Sequence, residues 1–205
     1  MPAPTESPPR VVIIDDDESV RESLRGLFRS VGLPTELHVS VNDYLATGRP
    51  GDPGCIVLDI RLPGQSGLEF TEILAASEAP QSVVLISGHV DVQMAVRAMK
   101  AGAVDVLTKP VREQDLLEAV NRAIAQDKQR RDLAERGAAV RARYATLTER
   151  ERQVMRLVAE GLLNKQIAAR IDLTEATVKL HRGQVMRKME ALSVPDLVRM
   201  GDLLE

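Results

Sequence analysis

The side chains equipped for chemistry in the first half of the chain are Asp15, Asp16 and Asp17 together, then Asp59, Ser87 and Lys109, spaced 43, 28 and 22 residues apart. Brought to one place, three or more carboxylates repel one another unless a cation intervenes. An all-oxygen donor set favours a hard ion such as Mg²⁺ that keeps part of its water. A lysine and a hydroxyl beside that ion supply positive charge and a donor for the oxygens of a phosphoryl group. Each member alone has a plainer reading. Asp15–Asp17 suits the first turn of a helix, where carboxylates complement the dipole, and Ser87-Gly88 is an ordinary turn dipeptide. Asp59 differs, because it lies between two apolar stretches, where an unpaired carboxylate is costly. The joint placement carries the inference.

That placement depends on the elements between them. Short β-branched runs occur at Val11–Ile14, Cys55–Leu58, Val83–Ile86 and Val104–Leu107, with a weaker one at Leu37–Val39. Helical spacing fills about 18–31, 41–48, 67–77, 90–101 and the residues from 113 onward, and Ser19-x-x-Glu22 has the form of a capping box. Strands alternating with helices imply βαβ units and a parallel sheet. Apolar runs without alternation suit strands buried on both faces. Residues 10–125 therefore read as an α/β domain, a doubly wound (βα)5 parallel sheet. Each reactive group directly follows a strand, and ligands of open parallel sheets collect outside the carboxyl ends of the strands, where strand order reverses.

The second half changes character. Charge dominates from Asn121 to Ala145, so the last helix is expected to run on as an exposed helical linker over 126–145. Residues 146–205 read as all-α: Thr148-x-x-Glu151 opens one helix as a capping box, Asn164 and Thr174 can cap two more, and Pro195 starts a fourth. On the helix after Thr174, Val178, Val185 and Met189 share one face, while Lys179, Leu180, Arg182, Gly183 and Arg187 share another. The first stripe packs inward. The second is either a solvated basic face or a surface narrow enough to enter a DNA major groove. Val194–Leu204, with Leu197, Val198 and Leu203, is either a dimer face or domain core.

Charge sharpens the division. The whole chain carries −3 over 205 residues, but residues 1–126 hold 11 basic and 18 acidic side chains, a net −7, and residues 127–205 hold 16 and 12, a net +4. The halves are suited to different partners, cations or a phospho-donor for one and a polyanion for the other. One cysteine, Cys55, excludes an internal disulfide or a cysteine-rich zinc site and favours a reducing compartment. No apolar run approaches the roughly 18 residues of a membrane span. The proline-rich residues 1–9 read as a disordered lead rather than a signal peptide, so a cytoplasmic location is expected. The two Phe and two Tyr argue against base stacking on single strands or RNA.

Val11–Glu18, Ile56–Gly67, Ile86–His89 and Ala98–Pro110 resemble the receiver domain of bacterial response regulators over about residues 10–125. The resemblance implies that Asp59 accepts the phosphoryl group and that Asp15, Asp16, Asp59 and the Arg61 backbone carbonyl hold Mg²⁺. It implies that Lys109 contacts the phosphoryl oxygens, that Ser87 is the switch hydroxyl, and that Arg61 and His89 occupy positions tuning phosphoryl lifetime. His89 also suits a plain exposed loop residue. Val106 stands where such domains usually carry Tyr or Phe, so the signal is expected to pass through movement of the Ser87–Ala101 segment. Thr146–Val154, Gly161–Ala168 and Thr174–Arg182 are similar to the LuxR-type helix-turn-helix of NarL/FixJ-type regulators. By that resemblance Lys179, Leu180 and Gly183 face the groove, and Lys165, Thr177, Arg182 and Arg187 contact phosphates.

The expected function is a two-component regulator. A sensor histidine kinase would phosphorylate Asp59, and a homodimer would then bind double-stranded promoter DNA, with RNA polymerase a further partner and no membrane contact. Self-phosphorylation and autodephosphorylation would be single-turnover events, so no enzyme is expected. Two alternatives stay open. One is a constitutive DNA-binding regulator whose receiver is structural or ligand-sensing. The other is a metal-dependent phosphohydrolase, which would want a second carboxylate two residues after the nucleophile, where this chain has Arg61.

Overall fold

A computed structural model describes residues 8–47, 52, 54–77 and 80–204, so most of the proline-rich lead lies outside the described residues. The chain forms two compact units that divide between Arg130 and Arg131.

The first unit holds five parallel strands: β1 (Arg10–Ile14), β2 (Thr35–His38), β3 (Gly54–Asp59), β4 (Ser82–Ser87) and β5 (Asp105–Thr108), in the order β2-β1-β3-β4-β5. Around them lie α1 (Glu18–Ser30), α2 (Val41–Thr47), α3 (Gly67–Ala75), α4 (Val92–Lys100) and α5 (Glu113–Ala145). The apolar runs lack alternation because both faces of the sheet are covered. Val12, Ile14, Ile56, Leu58, Val83 and Leu85 pack against Val41 and Tyr44 of α2, Leu68, Phe70 and Leu74 of α3, and Ala98 of α4. The residues between them, Val11, Ile13, Cys55, Val57, Val84 and Ile86, pack against Leu24 and Phe28 of α1 and Leu116, Ala119, Val120 and Ala123 of α5. The doubly wound α/β reading is borne out.

Three local expectations need correction. The weak strand begins at Thr35, two residues early, because Thr35 and Glu36 pair with Val11 and Val12 at the sheet edge, where half-buried polar residues are tolerated. Ser19 does not cap α1. Asp17 does, in an extended conformation from which Oδ1 accepts the N–H groups of Ser19 at 2.8 Å and Val20 at 3.4 Å. Residues 126–145 are helical as expected, within α5, but not exposed throughout, since Asp127, Gly137 and Val140 are buried. Asp127 accepts the Gly54 N–H at 3.0 Å.

In the second unit α6 (Glu149–Ala159), α7 (Asn164–Ile171), α8 (Glu175–Met189) and α9 (Val194–Asp202) close on a core that includes Val154, Val158, Ile167, Val178, Val185, Met189 and Leu197. Leu197 is fully buried and Leu203 packs on the same cluster, so these residues of the Val194–Leu204 stretch belong to the core. Thr148 and Glu151 form the expected capping box, and Thr174 caps α8. Asn164 does not cap α7. Leu163 holds that position, its N–H bonded to Gln166 Oε1 at 2.8 Å, and the Asn164 side chain instead accepts from Arg182.

Two glycines separate close approach from mere tolerance. A Cβ on Gly67 would lie 2.2 Å from the Asp59 carbonyl oxygen, whereas one on Gly183 meets nothing within 4 Å. Gly67→Ala is expected to destabilise by about 3 kcal/mol, and Gly183→Ala to stabilise α8 by up to about 1 kcal/mol. Urea unfolding of the two variants checks this; shifts of the same sign would contradict it.

Candidate functional site

The carboxyl ends of β1 and β3 lie next to each other; Asp15 directly follows the one and Asp59 ends the other. Asp15 is fully buried and Asp59 nearly so, while Asp16 is exposed. One carboxylate oxygen from each of Asp15, Asp16 and Asp59 can be chosen so that all three lie within 4.8 Å of one another. From the end of β5, Lys109 extends its Nζ between two of them, 2.6 Å from Asp15 Oδ2 and 2.5 Å from Asp59 Oδ2. The Lys109-Pro110 peptide is cis. The remaining oxygens are held by backbone: Asp15 Oδ1 accepts the Asp17 N–H at 3.0 Å, and Asp59 Oδ1 accepts the Arg61 N–H at 2.9 Å.

Three carboxylates thus face one ammonium. Burial pushes the Asp15 carboxyl above its ordinary value, with only partial relief from Lys109 and the Asp17 N–H. Burial would lower Lys109, but its hydrogen bonds and attraction to Asp15 and Asp59 outweigh that and hold the ammonium above the usual lysine range. The cluster therefore has oxygen donors and negative charge beyond what one lysine balances. That donor set fits a hard divalent ion.

The other expected members stand at the same rim in different states. Ser87 is fully buried at the end of β4, and its carbonyl accepts the Lys109 N–H at 2.7 Å. Its hydroxyl is engaged within its own loop, donating to the His89 carbonyl at 3.1 Å. The His89 side chain and the Arg61 side chain are exposed, and Val106 is half-buried against the core beneath α4. One residue at this rim escaped the sequence reading: Arg21 of α1 donates from Nη1 to the Asp15 carbonyl at 2.6 Å. Only its place in the first turn of the helix after the aspartates could have pointed to it.

In the second unit, α7 and α8 are joined through Asp172, which takes the left-handed conformation at φ 53°. Val178, Val185 and Met189 are buried, leaving Lys179, Leu180, Gly183 and Arg187 exposed together. Lys165 and Lys179 make no hydrogen bond or ion pair among the described residues. Arg182 departs from the expected face. It is half-buried, because its guanidinium turns to Asn164 Oδ1 at 2.9 Å, at the start of α7. The Thr177 hydroxyl is paired with that of Thr174 at 2.8 Å, and Arg187 donates to Gln184 at 2.5 Å. This helix is positioned by Lys188, whose Nζ bonds Glu151 Oε2 at 2.6 Å and the Thr146 carbonyl at 3.2 Å.

An acidic rim beside a lysine on a doubly wound sheet, followed by a helix-turn-helix unit with a basic outward helix, defines a signal-receiving module joined to a DNA reader. Residues 11–121 match the response regulator receiver domain, and residues 145–201 match the luxR family of bacterial regulatory proteins. The chain is 47% identical to nodulation protein W of Bradyrhizobium diazoefficiens, over 95% of this chain and 86% of that protein. It is 42% identical to the transcriptional regulatory protein FixJ of Rhizobium meliloti, over 93% of each. The solved structure of response regulator StyR superposes with a TM-score of 0.83 at 42% identity, covering 96% of this chain and 99% of that one. The chain belongs to the two-component response regulators that combine a receiver with a LuxR-type DNA-binding domain. Among the described residues no helix is long and apolar enough to cross a membrane.

Glu151 links α8 to acid stability. Burial opposes its charge, but the Lys188 ammonium and the Thr148 N–H and hydroxyl outweigh burial and hold the carboxyl below its ordinary value. A carboxyl depressed by folding stabilises above its unfolded pKa, about 4.5, and that stabilisation disappears as pH falls through the folded value. Glu151→Gln is expected to cost about 2 kcal/mol at pH 7 through the lost charge-assisted bond. The difference from wild type should shrink on acidification below about pH 4.5. A cost that stays constant from pH 7 to pH 3 would remove Glu151 from this role.

Proposed function

We propose that Asp59 accepts a phosphoryl group from the phosphohistidine of a sensor kinase in the presence of Mg²⁺, and that the modified chain dimerises and binds promoter DNA to regulate transcription. The observation that carries this reading is the Lys109 ammonium lodged between Asp15 and Asp59, with Asp16 beside them. An Asp59 carboxylate oxygen attacks phosphorus, the P–N bond to the donor imidazole breaks, that nitrogen regains a proton, and an acyl phosphate remains on Asp59. Lys109 Nζ, already 2.5 Å from Asp59, bonds the transferred oxygens. The Arg61 N–H fixes the rotation of the Asp59 carboxylate through its bond to Oδ1. Asp15, Asp16, Asp59 and the Arg61 carbonyl would hold Mg²⁺, which supplies positive charge against the carboxylates and the phosphoryl oxygens.

Water later cleaves the acyl phosphate, releasing inorganic phosphate and restoring the Asp59 carboxylate; the modified Asp59 is the signalling state, and the chain acts as an acceptor that each phosphoryl transfer modifies once. Arg61 and His89 flank the phosphoryl site and set the lifetime of the adduct. In the second unit Lys179 and Leu180 meet base edges beside Gly183, which faces the groove without a side chain to contact a base, while Lys165, Thr177, Arg182 and Arg187 reach phosphates, Arg182 after leaving Asn164. Contact with RNA polymerase and a cytoplasmic location follow from promoter binding.

Incubation with Mg²⁺ and acetyl phosphate should give one labile adduct, cleaved by base and by hydroxylamine, on the wild type and none on Asp59→Asn, read by intact mass. An adduct on Asp59→Asn removes the assignment. Promoter footprinting of the same samples tests the output: equal affinity with and without phosphorylation would favour a constitutive regulator. Lys165→Ala should weaken DNA binding nearly uniformly across sequences and reduce the slope of log affinity against log salt by about 1, as loss of a phosphate contact does. An unchanged slope with relaxed sequence preference would assign Lys165 to base contact instead.

A further inference from the structure

The three carboxylates of the acidic rim are not held alike. Asp15 is fixed by Lys109 and the Asp17 N–H, and Asp59 by Lys109 and the Arg61 N–H. The Asp16 side chain is exposed and makes no hydrogen bond or ion pair among the described residues. With no partner holding the carboxylate, the backbone, which fixes the Cα–Cβ direction, is what aims it. The peptide joining Asp15 to Asp16 presents its carbonyl to the Arg21 guanidinium, 2.6 Å from Nη1. One residue earlier, the Asp15 N–H is bonded to the His38 carbonyl at 3.2 Å at the end of β2. Arg21 is itself anchored in the first turn of α1, where its own N–H bonds the Asp17 carbonyl at 3.1 Å. The turn from strand to helix is closed at both ends, and the Asp15–Asp16 peptide plane is clamped by one side chain.

That side chain is half-buried and has no carboxylate partner within ion-pair range among the described residues. A guanidinium placed beside an acidic cluster but spending its donor on a neutral carbonyl is not there to neutralise charge through a salt bridge. We propose that Arg21 is a positioning residue for the divalent-cation site, fixing the Asp15–Asp16 peptide so that the otherwise unsupported Asp16 carboxylate faces Asp15 and Asp59. The inference rests on the reading of this cluster as a Mg²⁺ site. Mg²⁺ demands near-ideal octahedral geometry, and groups that orient ligands from behind typically change metal affinity by about 10 to 100-fold when removed.

The sign of the effect separates positioning from simple electrostatics. Removing a cation near the site relieves repulsion and would tighten Mg²⁺ binding, whereas removing the clamp weakens it. Calorimetric titration of the full-length protein with Mg²⁺ alone is expected to show a dissociation constant raised about 10-fold in Arg21→Ala. Arg21→Lys, which keeps a donor on a flexible stem, should recover part of the loss. In an Asp16→Asn background, Arg21→Ala should add less than about two-fold, because the carboxylate it positions is already gone. Affinity unchanged or tightened in Arg21→Ala, or a full loss repeated on top of Asp16→Asn, overturns the role of Arg21. A wild-type protein that takes up no Mg²⁺ fails the reading of the cluster instead. If Arg21→Ala does not fold, Arg21→Met, which keeps the packing of the stem and removes the donor, carries the same comparison.

Discussion

Asp15 and Asp59 stand at the ends of adjacent strands of one sheet, both nearly inaccessible to water, and they share that rim because Lys109 reaches between them. Two buried like charges at such a distance are costly unless a cation of matching reach intervenes. Much of the first unit follows from this constraint. The parallel strand order puts β1 beside β3, so the two aspartates are neighbours although 44 residues separate them in sequence. β5 lies on the far side of β4 and must deliver its lysine across the end of that strand, which the bond from the Lys109 N–H to the Ser87 carbonyl secures. Gly67 lets α3 start against the backbone of Asp59, an approach any side chain would block. The site is one electrostatic unit assembled from four loops.

How far this was legible in the chain depended on how each residue acts. Asp15, Asp59, Ser87 and Lys109 each terminate or follow an apolar run, and the parallel-sheet rule converts that position into a shared rim without any knowledge of contacts. Asp17 and Arg21 were misread or missed because they act through backbone groups. A capping carboxylate two residues ahead of Ser19 competes with the Ser19-x-x-Glu22 pattern, and nothing in residue type says which wins; the extended conformation at Asp17 decides it. The same holds at α7, where Asn164 has the better capping chemistry but spends its oxygen on Arg182 while Gln166 reaches back to the Leu163 N–H. Long polar side chains have several partners within reach, and tertiary packing selects among them.

The second unit shows the opposite balance. Its buried stripe, Val178, Val185 and Met189, follows directly from helical periodicity and is fully enclosed. Its outward surface does not follow as simply, because charge alone does not say which cations are free. Among the described residues Lys179 projects without a partner, whereas Arg187 is shared with Gln184 and Arg182 with Asn164. A cation already bonded to a neutral amide gives up that bond to reach a phosphate, at a cost of about 1 kcal/mol, so the net charge of +4 overstates what is immediately available for DNA. Lys165 and Lys179 carry no such cost.

Under the proposed phosphorylation, the energetic question is what distinguishes two conformations of the receiver, since a modification shifts an equilibrium only by its differential interaction with the two states. The Ser87 hydroxyl is satisfied by the His89 carbonyl in the structure, so bonding a phosphoryl oxygen exchanges a neutral hydrogen bond for a charge-assisted one, a net gain of about 1 kcal/mol. That is far short of the roughly 5.5 kcal/mol needed to take a state from 1% to 99%. Val106 offers no aromatic ring to amplify the change. The element next to the hydroxyl is, however, lightly held. Within α4 only Ala98 is fully buried, while Val92, Val96 and Met99 are exposed, and a helix with so few buried contacts needs little energy to shift. Under the proposed phosphorylation, a small bias at Ser87 acts on a weakly fixed α4, and burial of Val92, Val96 and Met99, which are exposed here, is one source from which the rest of the free energy can come.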